Sequence, residues 1–182
     1  MVHYICSMRK VIVYISCTLD GYISKPNNNL NFLDKMQVEG EDYGYSEFNN
    51  SVDTIIIGRK TYQWVIDQGY EYPHSDKDVY VITRQNKANH DNIKYYNGDL
   101  TTLVNELKSK PGKNIYCDGG AEIVNLLYNK GLLDEMIISV IPVIIGEGTK
   151  LFNSGIKEKE LKLVESKKYK SGLVQLHYSI NI

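Results

Sequence analysis

The sequence has no dominant charge and no long apolar run. Its 182 residues include 21 basic and 22 acidic side chains, which leaves a formal net charge of −1. That balance produces no global field to attract nucleic acid or an anionic membrane, so neither is expected as a partner. No stretch approaches the roughly 20 apolar residues that span a bilayer. The length suits one domain with a substantial core.

Cysteine and histidine are scarce and scattered. The three cysteines (Cys6, Cys17 and Cys117) and the four histidines have none of the spacings typical of metal ligands. No metal site is therefore expected. An odd number of cysteines in apolar surroundings is typical of reduced, buried thiols. This pattern predicts a cytoplasmic protein.

The start of the chain only superficially resembles a targeting signal. Arg9 and Lys10 precede an apolar run over Val11–Ile15, as a charged region precedes the apolar region of a signal peptide. The run is too short for that role, and no small-residue cleavage pattern follows it. We therefore expect an N-terminal extension over residues 1–7 and a single domain over residues 8–182.

Three familiar nucleotide and hydrolase motifs are also missing. No Gly-x-Gly-x-x-Gly follows the first apolar strand, there is no Walker loop, and there is no Gly-x-Ser-x-Gly elbow. These absences argue against the usual dinucleotide fingerprint, a P-loop nucleotidase and an α/β-hydrolase site. Any nucleotide site must be built from other parts.

One such part is the stretch around Gly119 and Gly120. A short apolar strand over Ile115–Cys117 leads into this glycine pair, and apolar residues at helical spacing begin directly after it. Such a turn places unpaired backbone N–H groups at the positive end of a helix, which suits a phosphate. The alternative is a tight turn that any α/β unit needs. Asp118 and Glu122 count against a phosphate, because they compete for the same positive field.

A second junction of the same kind follows the apolar strand Thr54–Ile57. It consists of Gly58, Arg59, Lys60 and Thr61, after which a helix begins. Two cations and a hydroxyl at the start of a helix suit phosphate oxygens. The alternative is that both cations are ordinary solvated charges.

Strands and helices alternate along most of the chain, and the last part changes to two strands joined by a turn at residues 170–172. Strands are predicted at Lys10–Ser16, Thr54–Ile57, Asp78–Ile82, Asn92–Tyr95, Ile115–Cys117, Glu135–Ile141, Leu161–Ser166 and Leu173–Ile182. Helices are predicted at Leu30–Met36, Tyr43–Asn50, Lys60–Ile66 and Leu100–Lys108, and from Ala121 to Lys130-Gly131. Asp99 is the predicted N-cap of the helix that begins at Leu100. This order predicts an α/β three-layer sandwich. Its central sheet is mixed but mainly parallel, with helices on both sides and an antiparallel C-terminal hairpin.

Ligands of open parallel sheets gather at the carboxyl ends of the strands. Here those ends follow Ser16, Ile57, Ile82 and Cys117. Two of them carry glycines at helix starts, and two carry cations, namely the Arg-Lys pair of the second junction and Arg84. A dinucleotide with three phosphates would use all of these groups, and a 2′-phosphate would account for the arginine.

Four segments together resemble the dihydrofolate reductase-like superfamily. They are residues 16–23 (Ser-Cys-Thr-Leu-Asp-Gly-Tyr-Ile), residues 58–62, residues 119–122, and the pattern Pro142-x-x-x-Gly146-x-Gly148-x-x-Leu151-Phe152. The resemblance extends from Met8 to Ile180. It is strongest to the branch that contains the C-terminal reductase domain of bifunctional riboflavin-biosynthesis deaminase/reductases and its stand-alone relatives.

The resemblance implies bound NADPH, a homodimer and hydride transfer to an electrophilic C=N or C=O of a heterocyclic or sugar-derived small molecule. By the same resemblance, the cofactor-binding residues are Ser16, Ile23, Gly58, Arg59, Lys60, Thr61, Thr83, Arg84, Gly119, Gly120, Ala121 and Glu122. The residues on the substrate side are Thr18, Asp20, Asn31, Phe32, Pro142, Gly146 and Glu147.

One departure from the family pattern concerns the substrate side. Relatives often have an acid followed by a tryptophan where this chain has Asn31 and Phe32. An asparagine cannot ionise, so it neither pairs with a cationic pterin nor relays a proton. Dihydrofolate is therefore disfavoured as the substrate. The catalytic proton source is left open between Asp20 and a bound water, and Asp20 is equally explained as a turn former beside Gly21.

Two classes of function follow. The first is an NADPH-dependent reductase of a pteridine, pyrimidine or ribosylamino-uracil substrate, as in riboflavin biosynthesis. The second is a non-catalytic NADPH-binding or dimeric interaction protein that kept the fold. Asn31 favours the second, and the two cofactor junctions favour the first.

Overall fold

The computed structural model describes residues 8–180, so the predicted extension over residues 1–7 lies outside the described part. The strands are β1 (Val11–Thr18), β2 (Tyr22–Ser24), β3 (Val52–Gly58), β4 (Asp78–Ile82), β5 (Ile93–Tyr96), β6 (Asn114–Gly119), β7 (Glu135–Ile141), β8 (Thr149–Lys150), β9 (Lys162–Lys168) and β10 (Val174–Ser179). The α-helices are α1 (Tyr45–Asn50), α2 (Arg59–Asp67), α3 (Leu100–Ser109) and α4 (Ala121–Asn129). Two 3₁₀ helices span Pro26–Asn28 and Asn31–Met36.

The main sheet has eight strands in the order β5-β4-β3-β6-β1-β7-β10-β9. The first six in this order pair in parallel, whereas β10 is antiparallel to β7 and β9 is antiparallel to β10. The predicted fold class is therefore confirmed, including the antiparallel C-terminal hairpin. The crossover helices explain the parallel part, because parallel neighbours need a connection that returns to the same edge.

Helices cover both faces of this sheet. The apolar sides of α3 and α4 pack on one face with Val11, Val13 and Ile115. On the other face, α1 and α2 pack against Ile55 and Ile57. Central strands that are covered on both faces need apolar side chains at successive positions, which explains the unbroken Ile-Ile-Ile run of β3. Asp99 caps α3 as its sequence position predicts, since its carboxylate accepts a hydrogen bond from Thr102 N at 3.0 Å.

Three local predictions needed correction. The segment predicted as a helix at Leu30–Met36 forms a 3₁₀ helix over Asn31–Met36. The segments β2 and β8, which the sequence presents as loops, pair with each other as a separate two-stranded sheet. In the final strand, the alternation of apolar and polar residues predicts that Gln175 lies on the more solvated face, but Gln175 is buried and donates a hydrogen bond to Ser139 Oγ at 3.1 Å.

Among residues 8–180, every helix is too short or too polar to cross a membrane.

Candidate functional site

A cavity of about 970 Å³ opens at the carboxyl ends of β3, β4 and β6. It is lined by every predicted cofactor-binding residue except Ser16 and Gly119: Ile23, Gly58, Arg59, Lys60, Thr61, Thr83, Arg84, Gly120, Ala121 and Glu122. Ser16 lies in β1 next to Ile15, which does line the cavity, and Gly119 ends β6. The topology thus gathers three separate strand ends at one concave surface, as the strand order requires.

The two glycine junctions contact each other directly. The backbone N–H of Gly120 donates to Thr61 Oγ1 at 2.9 Å, which joins the start of α4 to the first turn of α2. A Cβ atom at Gly120 would lie 2.9 Å from the same oxygen. Gly119 has a φ of +91° and a cis peptide bond to Gly120. Both positions therefore require glycine, one for its φ and the other for the close approach.

The junctions leave polar groups free for a ligand. The N–H groups of Ala121 and Glu122 begin α4 and have no partner inside the helix. Among residues 8–180, Arg59 and Lys60 form no ion pair. Unneutralised cations beside free N–H groups make this wall of the cavity suitable for an anion.

Arg84 and Glu122 lie at the exposed rim of the cavity. The Arg84 side chain is 94% exposed, and its Nη2 lies 3.5 Å from Glu122 Oε1. A single ion pair at this exposure contributes little to stability. The Glu122 carboxylate is thus directed to the rim, towards Arg84, and Arg84 can exchange this partner for a ligand at small cost.

Asp118 also lines the cavity. From the sequence alone, its charge only counts against phosphate binding at the glycine pair. Its carboxylate accepts hydrogen bonds from Tyr72 Oη at 2.5 Å and Tyr116 Oη at 2.8 Å. Burial raises the pKa of Asp118, while the bonds from the two tyrosines and the nearby His74 oppose that rise. The side chain is held by the tyrosines, and it combines two features of a proton donor, access to a cavity and a raised pKa. The sequence feature that could have indicated this role is an acid directly before the glycine pair, at the end of a buried strand.

Asp20 has a different environment. Its carboxylate accepts hydrogen bonds from Thr18 Oγ1 at 2.6 Å and from the backbone N–H groups of Ile145 and Gly146 at 3.1 and 2.8 Å. These bonds, that of Thr18 foremost, lower the pKa of Asp20. The carboxylate connects the loop after β1 to the loop after β7. This arrangement agrees with a structural role of Asp20 in the turn and not with a role as proton donor.

The residues predicted for the substrate side do not line this cavity. Phe32 is 3% exposed and packs with Ile141 and Leu173 in a small separate cluster. Asn31 and Glu147 are exposed on the surface. Thr18 is the last residue of β1, and Pro142 and Gly146 lie in the loop between β7 and β8. The cavity instead includes residues that were not predicted, among them Ile15, Asn28, Leu30, Trp64 and Asp118.

No group of three or more histidine, cysteine, aspartate or glutamate side chains in residues 8–180 is arranged to hold a metal ion. Cys17 and Cys117 are buried and unpaired.

The sequence matches a known protein family and two curated relatives over most of its length. The family described as the RibD C-terminal domain matches residues 9–175. The uncharacterized protein YwjB of Bacillus subtilis (strain 168) is 39% identical over 171 residues, which cover 93% of this chain and 97% of that protein. A second uncharacterized protein of the same organism, YyaP, is 33% identical over 187 residues, with 95% and 96% coverage.

Solved structures show the same architecture. A protein from Shewanella sp. PV-4 whose name refers to riboflavin biosynthesis superimposes with a TM-score of 0.85 at 28% identity, over 95% of this chain and 99% of that one. A deaminase/5-amino-6-(5-phosphoribosylamino)uracil reductase from Thermotoga maritima gives a TM-score of 0.70 at 13% identity, over 95% of this chain and 57% of that one. The second likeness concerns the fold alone.

Proposed function

The chain belongs to the RibD C-terminal domain family, and from that premise we propose that it is an NADPH-dependent reductase of a small heterocyclic substrate. The substrate class is a pteridine, a pyrimidine or a ribosylamino-uracil, as in riboflavin biosynthesis. The observation that carries the proposal is the cavity that joins both glycine junctions, the unneutralised cations and a half-buried acid.

The residues present fit a dinucleotide with several phosphates. Gly120 and Ala121 would hold the pyrophosphate at the start of α4, where the N–H groups of Ala121 and Glu122 have no partner inside the helix. Arg59 and Lys60 would contact phosphate oxygens from α2. Thr83 and Arg84 would contact the 2′-phosphate at the rim, and Ser16 and Ile23 would adjoin the nicotinamide. NADPH, when bound, would supply a hydride to an electrophilic carbon of the substrate.

The reduction of a C=N or C=O bond also requires a proton, and we assign its source to Asp118. Burial raises the pKa of this acid, so at a given pH a larger fraction of it holds a proton than of an ordinary aspartate. Asp20 is unsuited to the role, because its pKa is lowered and its oxygens are occupied by the loop. The absence of an acid at Asn31 then removes no essential group, because a different carboxyl lines the cavity.

We also propose that the protein forms a homodimer in the cytoplasm. In support, every residue of β9 is exposed at the edge of the main sheet, including Leu163 and Val164, which are 52% and 53% exposed. An uncovered edge strand with apolar side chains is a typical surface for association.

Titration with NADPH tests the proposed function directly. Trp64 is the single tryptophan and lines the cavity, so bound NADPH is expected to quench its fluorescence in a saturable way. Failure of both NADPH and NADH to bind would overturn the proposal. Binding without oxidation, across a panel of pteridine and ribityl-pyrimidine substrates, would instead favour a non-catalytic NADPH-binding protein.

Replacement of Arg84 by alanine tests the cofactor preference. The change is expected to weaken NADPH binding about tenfold and NADH binding very little, because a phosphate contact from an exposed arginine is worth about 1.4 kcal/mol. Fluorescence titration of both cofactors measures the ratio. Lys130→Ala is the matched control, because Lys130 also lines the cavity but bonds to Asp99 and Thr101. Equal losses of NADPH and NADH affinity in Arg84→Ala would remove the assigned role.

A further inference from the structure

Two tyrosines from distant parts of the chain hold the two oxygens of Asp118. Tyr72, in the segment between α2 and β4, donates to Oδ2 at 2.5 Å. Tyr116, two residues before Asp118 in β6, lies 2.8 Å from Oδ1. The Tyr72 and Tyr116 side chains are largely buried, at 9% and 5% exposure. We call these three residues the carboxyl clamp.

The two tyrosines of the carboxyl clamp differ in their other partners. Tyr116 Oη also lies 3.2 Å from the carbonyl oxygen of Tyr14, so its single proton has two acceptors within reach. Among residues 8–180, Tyr72 Oη bonds only to Asp118. Tyr116 therefore has a good hydrogen-bonding arrangement with either form of Asp118. It donates to a carboxylate, or it accepts from a carboxylic acid while donating to Tyr14.

We propose that Tyr72 and Tyr116 are positioning residues that place a transferable proton on Oδ1 of Asp118. Tyr72 fixes Oδ2 as an acceptor, and the Tyr116 hydroxyl reorients between Tyr14 and Oδ1 as the proton leaves and returns. The inference rests on the proposed function, since it specifies how the acid of that reductase is supplied with its proton.

The proton balance of the step is simple. The Oδ1–H bond of Asp118 breaks and an N–H or O–H bond forms on the substrate, at the atom next to the carbon that accepts the hydride. The cofactor, when bound, would supply the hydride with its two electrons, and Asp118 supplies the proton. The Tyr116 hydroxyl then donates to the new carboxylate, and solvent in the cavity returns the proton.

The surroundings of the carboxyl clamp determine the direction of its pH response. The other titratable groups that face Asp118 are His74, which follows Tyr72, and Tyr45 of α1, whose hydroxyl lies 3.2 Å from His74 Nε2. Burial raises the pKa of Asp118, and the bond from Tyr72, followed by that from Tyr116, lowers it. Removal of either hydroxyl is therefore expected to raise the pKa of Asp118 further, and removal of that of Tyr72 to raise it more.

Infrared pH titration of the ligand-free protein tests the carboxyl clamp without any substrate. The carboxylic acid band that is absent from Asp118→Asn identifies the group. Its midpoint is expected to shift to higher pH in Tyr72→Phe and, by less, in Tyr116→Phe. Tyr96→Phe is the matched control, because that hydroxyl bonds to the Asp99 carbonyl at 2.9 Å and leaves the clamp intact. Unchanged midpoints in both clamp variants, with thermal unfolding showing that they are folded, would overturn the inference.

The pH profile of NADPH oxidation provides the second measurement. Because the acid must be protonated, kcat/KM is expected to fall as the pH rises through the pKa of Asp118. The falling limb should move to higher pH in Tyr72→Phe. A lower kcat with an unmoved limb would mean that Tyr72 is merely structural. If the infrared midpoints shift but no NADPH binds, the proposed function fails while the pKa effect of the clamp stands.

Discussion

Replacement of Asp118 by asparagine should lower kcat by about 10²–10⁴-fold while NADPH still quenches Trp64 fluorescence. The amide has the shape of the carboxyl group, and its oxygen and nitrogen can still bond to the hydroxyls of Tyr72 and Tyr116. It has no acidic proton to transfer. The loss is therefore expected in the chemical step and not in cofactor affinity, and steady-state kinetics together with fluorescence titration separates the two.

Asp67→Asn is the matched control for this experiment. Asp67 is an exposed acid at the end of α2 that does not line the cavity, and its carboxylate accepts a hydrogen bond from Gln63 Nε2 at 2.8 Å. We expect its kcat to remain close to that of the wild type. An Asp118→Asn protein with unchanged kcat, or an Asp67→Asn protein with an equal loss, would refute the assignment of Asp118 as the proton donor.

Stability should depend on pH in a related way. Because burial raises the pKa of Asp118, the folded state binds its proton more tightly than the unfolded state. The free energy of unfolding of the wild type should therefore fall, relative to that of Asp118→Asn, as the pH rises from below the unfolded pKa through the folded pKa. Urea denaturation of both proteins across this window measures the difference.

Replacement of Arg9 by methionine is expected to reduce the free energy of unfolding by about 3 kcal/mol. The Arg9 side chain is 6% exposed and forms an ion pair with Asp53. It also donates to Thr54 Oγ1 at 2.7 Å and to the backbone carbonyls of Leu107 and Lys113 at 3.1 and 2.5 Å. One guanidinium thus links β3 to the end of α3 and the start of β6. Methionine keeps much of the apolar stem but none of these bonds.

Lys10→Met provides the control for Arg9. Lys10 is the next residue and forms an ion pair with Glu135, but its side chain is 50% exposed. Exposed pairs contribute about 0–1 kcal/mol, so only a small change is expected. Urea denaturation measures both variants. Equal losses for the two substitutions would contradict the structural role assigned to Arg9.

Local patterns in the sequence determined most of the architecture. The bounds of β4 and β7 agree with the predicted strands, and Asp99 caps α3 as expected. The glycine pair before α4 also has the predicted strand–turn–helix form. Such features depend on periodicity, caps and turn residues within a few positions, and these are visible without any tertiary contact. The same local patterns made the fold class and the family resemblance recognisable.

Only the tertiary structure decided what individual polar side chains do. Arg9 is a buried link between elements, although its position before an apolar run is equally typical of a solvated charge. Asp118 is the clearest case, because Tyr72 lies 46 residues away in sequence. A carboxyl next to the proposed phosphate-binding turn is unfavourable by local electrostatics alone. The fold brings two hydroxyls to the Asp118 carboxyl and partly removes it from water. Because of these long-range contacts, a residue whose position disfavours a bound phosphate becomes the candidate acid of the site.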